Sequence, residues 1–324
     1  MEQHRELRRR ILFCQRERNL TCPPSSGIPC IYQGGTNGTI WSNIANYSGG
    51  GIYFTSLVTP TISGVRINYN RTLINDGGGI WVGSTSAPVM ILGNDISQNT
   101  ATGNGGGVYG FFPENLQLST NFIMTNTGNL GGGVALEGAG GVIRNNFLIA
   151  TRPGPPMTGG MSVTGFSNVT IEGNWFERNI SADQAGGIYL GTTGDALVNA
   201  NSFFTNTAHT GGGALTNSTG NVTFTNNIAA RNTTTSTIGS GFYINSYSVP
   251  FNNNTIANNT GDGVTFVGAT GIQLYNNIVY SNTGVGLNHL DGFTYRQITM
   301  MWQPTARTVC LSSLARTTWR SIRS

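Results

Sequence analysis

Apolar residues return along this chain in short alternating runs, each closed by glycine or asparagine. Behind successive glycine clusters stand Ile52, Ile80, Val108, Val134, Met161, Ile188, Ala214, Phe242, Val264 and Leu287. Measured at the last glycine of each cluster, the steps are 28, 28, 26, 27, 27, 26, 28, 22 and 23 residues. A second marker keeps phase with the first, an Asn followed five residues later by another, from Asn70/Asn75 and Asn94/Asn99 through to Asn277/Asn282, with Thr151 replacing the second Asn after Asn146. Aligned on the first Asn, the residue three before it reads Ile67, Ile91, Leu118, Ile143, Ile171, Val198, Phe224, Phe251 and Leu274. Inward residues at alternating spacing are strand periodicity, and each unit holds three such runs separated by turns. A unit this small cannot bury its own apolar side, whereas stacking like columns buries all of them. The pattern predicts an all-β fold: a single-stranded, right-handed parallel β-helix of about ten coils, three short strands to a coil. At about 4.8 Å per strand the rod is roughly 48 Å long.

Both punctuating residues have structural causes. Asparagine tolerates left-handed backbone angles and its amide bonds neighbouring backbone, so stacked turn asparagines predict a hydrogen-bonded ladder. Glycine supplies positive φ at the other corner.

Composition narrows the function classes. Only 9% of residues are charged, and all 17 basic residues are arginine, against roughly 25% charged in an ordinary globular chain. The net charge of +4 is misleading, because residues 1–30 carry six Arg and three Glu and residues 294–324 carry five Arg and no acid. The body between them holds six Arg against ten acids, a net −4. With no basic surface on the repeat, nucleic acid is not an expected partner. No run approaches the roughly 18 apolar residues of a transmembrane helix. The repeat occupies residues 31–293. Residues 1–30 read as an arginine-rich segment, either a capping helix with Leu7, Ile11 and Cys14 on one face or non-native sequence. Residues 294–324 lose the repeat abruptly and read as a tail, either disordered or displaced in reading frame. Cys14, Cys22, Cys30 and Cys310 all lie outside the repeat, without metal or redox spacing.

The repeats resemble the right-handed parallel β-helices of the pectate-lyase-like superfamily and, more narrowly, those of polymorphic outer-membrane autotransporter adhesins. The matching pieces are Phe176-Glu177-Arg178-Asn179, Phe203-Phe204-Thr205-Asn206, Ile256-Ala257-Asn258-Asn259 and Val279-Tyr280-Ser281-Asn282, followed by glycine clusters such as Gly186-Gly187-Ile188. The resemblance implies a secreted or cell-surface protein. It leaves two functions open, since the superfamily holds both polysaccharide lyases or glycoside hydrolases and non-catalytic surface proteins. Its lyases hold calcium with carboxylates on adjacent coils, and its hydrolases cluster acids; cleavage of this kind needs two carboxyls about 5–10 Å apart. On the predicted grid no two acids share a column on neighbouring coils, so no metal site and no cofactor are expected. The nearest charged cluster is Glu172, Glu177, Arg178 and Asp183 in one coil, with Arg144 above Glu172 and Arg152 in the nearby proline-rich loop. Glu172, Glu177, Arg178 and Arg152 are therefore the candidate catalytic residues. A surface ion pair between Arg144 and Glu172 is the competing explanation. His209 and His289 come with no nucleophile pattern.

One outward column carries aromatics: Tyr53, Trp81 and Tyr109 on consecutive coils, then Tyr189 and Tyr243. They predict an exposed strip on which sugar rings or a protein partner would stack. Stacked aromatics also stabilise strands by themselves, at about 0.2–1 kcal/mol per pair. The expected function is a non-catalytic scaffold, adhesin-like or carbohydrate-binding, with a polysaccharide or cell-surface partner; the alternative is a polysaccharide lyase or glycoside hydrolase.

Overall fold

The computed structural model describes residues 38–54, 60–85, 88–153, 158–165, 168–269, 271–290, 297–302 and 317–321. Residues 1–30 and the four cysteines lie outside this set. Every strand pairing is parallel, from Thr39–Trp41 onward, and no helix is present among the described residues. No helix long and apolar enough to cross a membrane occurs there. Each coil contributes one strand to a ten-stranded sheet that runs from Ile52–Phe54 to Leu287–His289. Two more strands, such as Gly141–Arg144 and Phe147–Ile149, belong to a twenty-stranded sheet bent at the asparagine corner. The glycine-anchored column stacks in register throughout, Ile80 on Val108 on Val134 on Met161.

The core is the inside of the rod. Ile143 stacks on Ile171 and Val198 along one strand column, and Leu148 on Phe176 and Phe203 along the next. All of these are fully buried. Phe176 and Phe203 lie face to face at 5.0 Å, and Phe203 meets Phe242 of the opposite sheet edge-on at 5.5 Å. Such pairs contribute about 0.5–1.5 kcal/mol beyond the area they bury.

Two asparagine ladders run through the rod. In one, each amide nitrogen donates to the Oδ1 of the next coil and to a carbonyl of the coil before, as Asn121 does to Asn146 Oδ1 at 2.9 Å and Ile91 O at 2.8 Å. The other runs from Asn43 through Asn70 and Asn99 to Asn126, is interrupted where Thr151 replaces asparagine, and resumes from the Thr151 hydroxyl, which donates to Asn179 Oδ1 at 2.6 Å, to end at Asn282. The second coil departs from the predicted grid. Asn70 belongs to the second ladder and Asn75 lies exposed in a turn, while Val65 occupies the first-ladder position and donates its N–H to Asn94 Oδ1. Ile67 accordingly stacks on Ile96, and Ile62 takes the place beside Ile91. The spacing Asn70/Asn75 mimics the repeat but spans a turn.

The left-handed corner also sits one residue earlier than predicted. The residue before each ladder position has positive φ, for instance Thr120, Asn145, Arg178, Ala200 and Asn226. The ladder asparagine itself does not have positive φ, and its amide is buried in the ladder. Within the tail, residues 297–302 and 317–321 add two further parallel strands, Gln297 pairing with Gln273 and Thr317 with Ile298.

Candidate binding faces

The aromatic column stands in register on the outer side of the ten-stranded sheet, Tyr53 beside Trp81 beside Tyr109. Tyr53 and Trp81 stack in parallel at 4.4 Å with 6° between their planes. Their ring faces cover one another, and both residues are half-buried. Tyr109 is only 4% exposed. The upper column is therefore not the flat exposed strip that its sequence suggested. Asp76 stands in the turn that precedes the glycines, and Glu137 stands in the next outward column of the sheet, in register with Phe111. Tyr109 donates its hydroxyl to Glu137 Oε2 at 2.8 Å. Burial, the hydrogen bond to Glu137 and the charges of Asp76 and Glu137 hold its phenol well above the ordinary range.

Asp76 is the second acid here. Its Oδ1 accepts the Asn104 backbone N–H at 2.6 Å. Burial raises its carboxyl pKa above the usual carboxylate value; the Asn104 bond opposes this and the Glu137 charge adds to it. An acid whose folded-state pKa exceeds its unfolded value takes up protons on folding, so its contribution to stability falls as pH rises from about 3.9 through the folded value. Asp76→Asn keeps an oxygen for Asn104 and removes the charge. We expect the variant to match the parent below pH 4 and to exceed it by about 0.5 kcal/mol at pH 7, a figure kept small by solvent screening. Urea titrations at the two pH values check this; a variant less stable at pH 7 would contradict it.

Farther along the same sheet the surface opens. Tyr189 leans over Gly191, where a Cβ would meet its ring at 2.8 Å. Leu215 separates Tyr189 from Tyr243 in the column. A groove of about 200 Å³ is lined by Asp183, Gln184, Thr210, Leu215, Asn217, Tyr243 and Asn245. Asn245 Nδ2 donates to Asn217 Oδ1 at 3.0 Å, which fixes both amides along the rod. The Asp183 backbone carbonyl accepts the N–H groups of His209 and Thr210, so the turn holding Asp183 is tied to the next coil. His209 itself bonds Thr235 Oγ1 through Nδ1 at 2.7 Å.

Of the charged cluster predicted to hold catalytic residues, Glu177 and Arg178 are the members paired directly among the described residues. Glu172 ends the strand Val169–Glu172 and accepts from Asn199 Nδ2 at 2.8 Å. Glu177 ends the next strand, Trp175–Glu177, beyond the left-handed Gly173; it accepts from Trp175 Nε1 at 2.9 Å and pairs with Arg178 at 3.1 Å. Arg144 stands in register with Glu172, as predicted, yet Arg178–Glu177 is the one ion pair among the described residues. Arg178 is 70% exposed. Arg152 pairs through its backbone with Thr127; its side chain lies outside the described residues. Asp183 lies apart, on the groove of the ten-stranded sheet. Among the described residues no group of three or more His, Cys, Asp or Glu is placed to hold a metal ion.

A second aromatic stripe escaped the sequence reading. Phe122, Phe147 and Trp175 occupy one outward column on consecutive coils of the twenty-stranded sheet, 49%, 38% and 36% exposed. Phe122 and Phe147 stack at 4.9 Å, and Trp175 tilts against Phe204 at 4.8 Å. Each follows a ladder asparagine directly, at Asn121, Asn146 and Asn174. That position, the outward residue between two inward ones, was the available signal.

Stacked parallel strands, buried ladders and a single continuous core define a parallel β-solenoid. The chain matches the model of the right-handed beta helix region over residues 25–176, 72–229 and 156–299, which together span 25–299. It belongs to that family of right-handed β-helix proteins. No curated protein matches it.

Proposed function

We propose that this protein is a secreted or cell-surface β-helix scaffold that binds carbohydrate on its ten-stranded face without cleaving it. The observation that carries this reading is the groove beside Tyr243. It combines an aromatic side chain with a carboxylate and amides, the donor and acceptor set that matches sugar hydroxyls around an apolar ring face. Asp183, Gln184 and the Asn217 Nδ2 group have no side-chain partner in the protein among the described residues. Cleavage at the predicted acids is disfavoured by their separate engagements, Glu172 with Asn199 and Glu177 with Trp175 and Arg178. A surface role of the adhesin kind rests on the resemblance of the repeats and on a rod geometry that presents several faces at once.

The enzymatic alternative rests on one observation, the raised Asp76 carboxyl within electrostatic range of Glu137 on the same face. Paired carboxyls are the usual equipment of glycoside hydrolases. A polysaccharide panel scored in the same wells for retention and for reducing-end or unsaturated products, with calcium and with chelator, separates the two. We expect retention without products in both conditions. Product release abolished by Asp76→Asn or Glu137→Gln would replace the binding reading with the hydrolytic one.

A further inference from the structure

We infer that the groove beside Tyr243 selects non-acidic glycans, with an amino sugar as its strongest ligand; this rests on the carbohydrate-binding reading above. The argument is one of charge and donor chemistry. Asp183 is the one carboxylate in the lining, and no arginine or histidine lines the groove. The chain has no lysine at all. A uronate would thus bring its carboxylate toward Asp183 without a cation to receive it. Carboxylates are bound tightly where guanidinium or ammonium groups meet them, and two like charges brought together in a partly enclosed site repel.

A sugar ammonium meets the opposite situation. It donates charge-assisted hydrogen bonds to Asp183, whose carboxylate makes no side-chain bond or ion pair among the described residues. Asp183 is half-buried and held in place through its backbone, by its N–H to Ser181 Oγ at 3.2 Å and by its carbonyl to His209 and Thr210. The carboxylate is therefore presented by a fixed turn. Gln184 and Asn217 offer neutral amides for hydroxyls or acetamido groups, and the Tyr243 ring offers an aromatic face to the cationic sugar. The surrounding repeat, at net −4 over residues 31–293, attracts a polycationic chain and repels a polyanionic one.

The test uses the full chain and three hexamers of matched length, of glucosamine, of glucose and of galacturonate, titrated calorimetrically in low-salt buffer against the parent, Asp183→Asn and Tyr243→Ala. The expected order is glucosamine first and galacturonate last, at least tenfold apart. Asp183→Asn is expected to shrink that gap below threefold, with the loss of affinity at least threefold larger for the glucosamine hexamer than for the glucose hexamer. Tyr243→Ala is expected to weaken all three. Galacturonate binding as tightly as glucosamine overturns the selectivity, as does an unchanged order in Asp183→Asn. A failure of all three hexamers to bind overturns instead the carbohydrate reading beneath it. Because Asp183 makes no side-chain bond among the described residues, its variant is expected to unfold at the parent's urea midpoint, which excludes misfolding as the cause of any change.

Discussion

Asn201→Ala will cost about 3–5 kcal/mol of stability, although it removes no charge and only a few atoms from the rod. In the parent, Asn201 Nδ2 donates to Ile171 O at 2.8 Å and to Asn227 Oδ1 at 3.1 Å. Its Oδ1 accepts both the backbone N–H of Asn174 at 2.9 Å and the Asn174 side-chain amide at 3.0 Å. Alanine leaves the Asn174 N–H, one Asn174 amide proton and the Ile171 carbonyl without these partners in a place closed to water, since Asn174 and Asn201 are each about 1% exposed and Ile171 is fully buried. Each buried polar group left unsatisfied costs about 1–3 kcal/mol. Asn201→Asp will be at least as damaging, because a carboxylate keeps the acceptor, loses both donors and brings a charge into the core. Equilibrium urea unfolding measures both. A loss under 1 kcal/mol for alanine would mean that the ladder does not hold the coils together.

Gly107→Ala is the second large effect. A Cβ at Gly107 would stand 2.6 Å from Gly133 O and 3.0 Å from Asn126 Nδ2, and neither neighbour is free to give way. Gly133 is held to the next coil through Gly160 O, and Asn126 is part of the ladder. The coil spacing is fixed by parallel hydrogen bonds on both sides, so the methyl group has to push two coils apart. We expect a loss of about 3 kcal/mol, at the upper end for overpacking. Gly64→Ala is the control: nothing lies within 4 Å of that Cβ position, and its cost comes from φ +64 alone, about 1–2 kcal/mol. Equal losses at the two positions would contradict the close-packing account.

The stacking of the rod was legible in the sequence because it depends on residues that recur. Ile80, Val108 and Val134 repeat at one offset from glycine, and the structure stacks them at that offset. The second coil was misread for the same reason in reverse: Asn70 and Asn75 have the repeat spacing, but the position that pairs with Asn94 is Val65, which serves through its backbone N–H alone. Side-chain identity hid the register there. The binding faces were less legible because exposure is set by neighbours from other coils. Tyr53 and Trp81 fall in the predicted column, yet nothing local to either says that their rings close on each other or that Glu137, two coils from Trp81, receives the Tyr109 hydroxyl. The groove at Tyr243 draws on three coils, through Asp183, Asn217 and Asn245, and the sequence separates these by about a coil each. The outward column of Phe122, Phe147 and Trp175 was within reach of the same alignment that found the others.

The proposed carbohydrate binding has two candidate faces on the rod, one polar and centred on Tyr243, the other apolar and centred on Trp175. Affinity electrophoresis of the parent, Tyr243→Ala and Trp175→Ala through gels carrying the retained polysaccharide distinguishes them directly. The account predicts that Tyr243→Ala migrates unretarded and Trp175→Ala is retarded like the parent; retardation lost in Trp175→Ala and kept in Tyr243→Ala would contradict it.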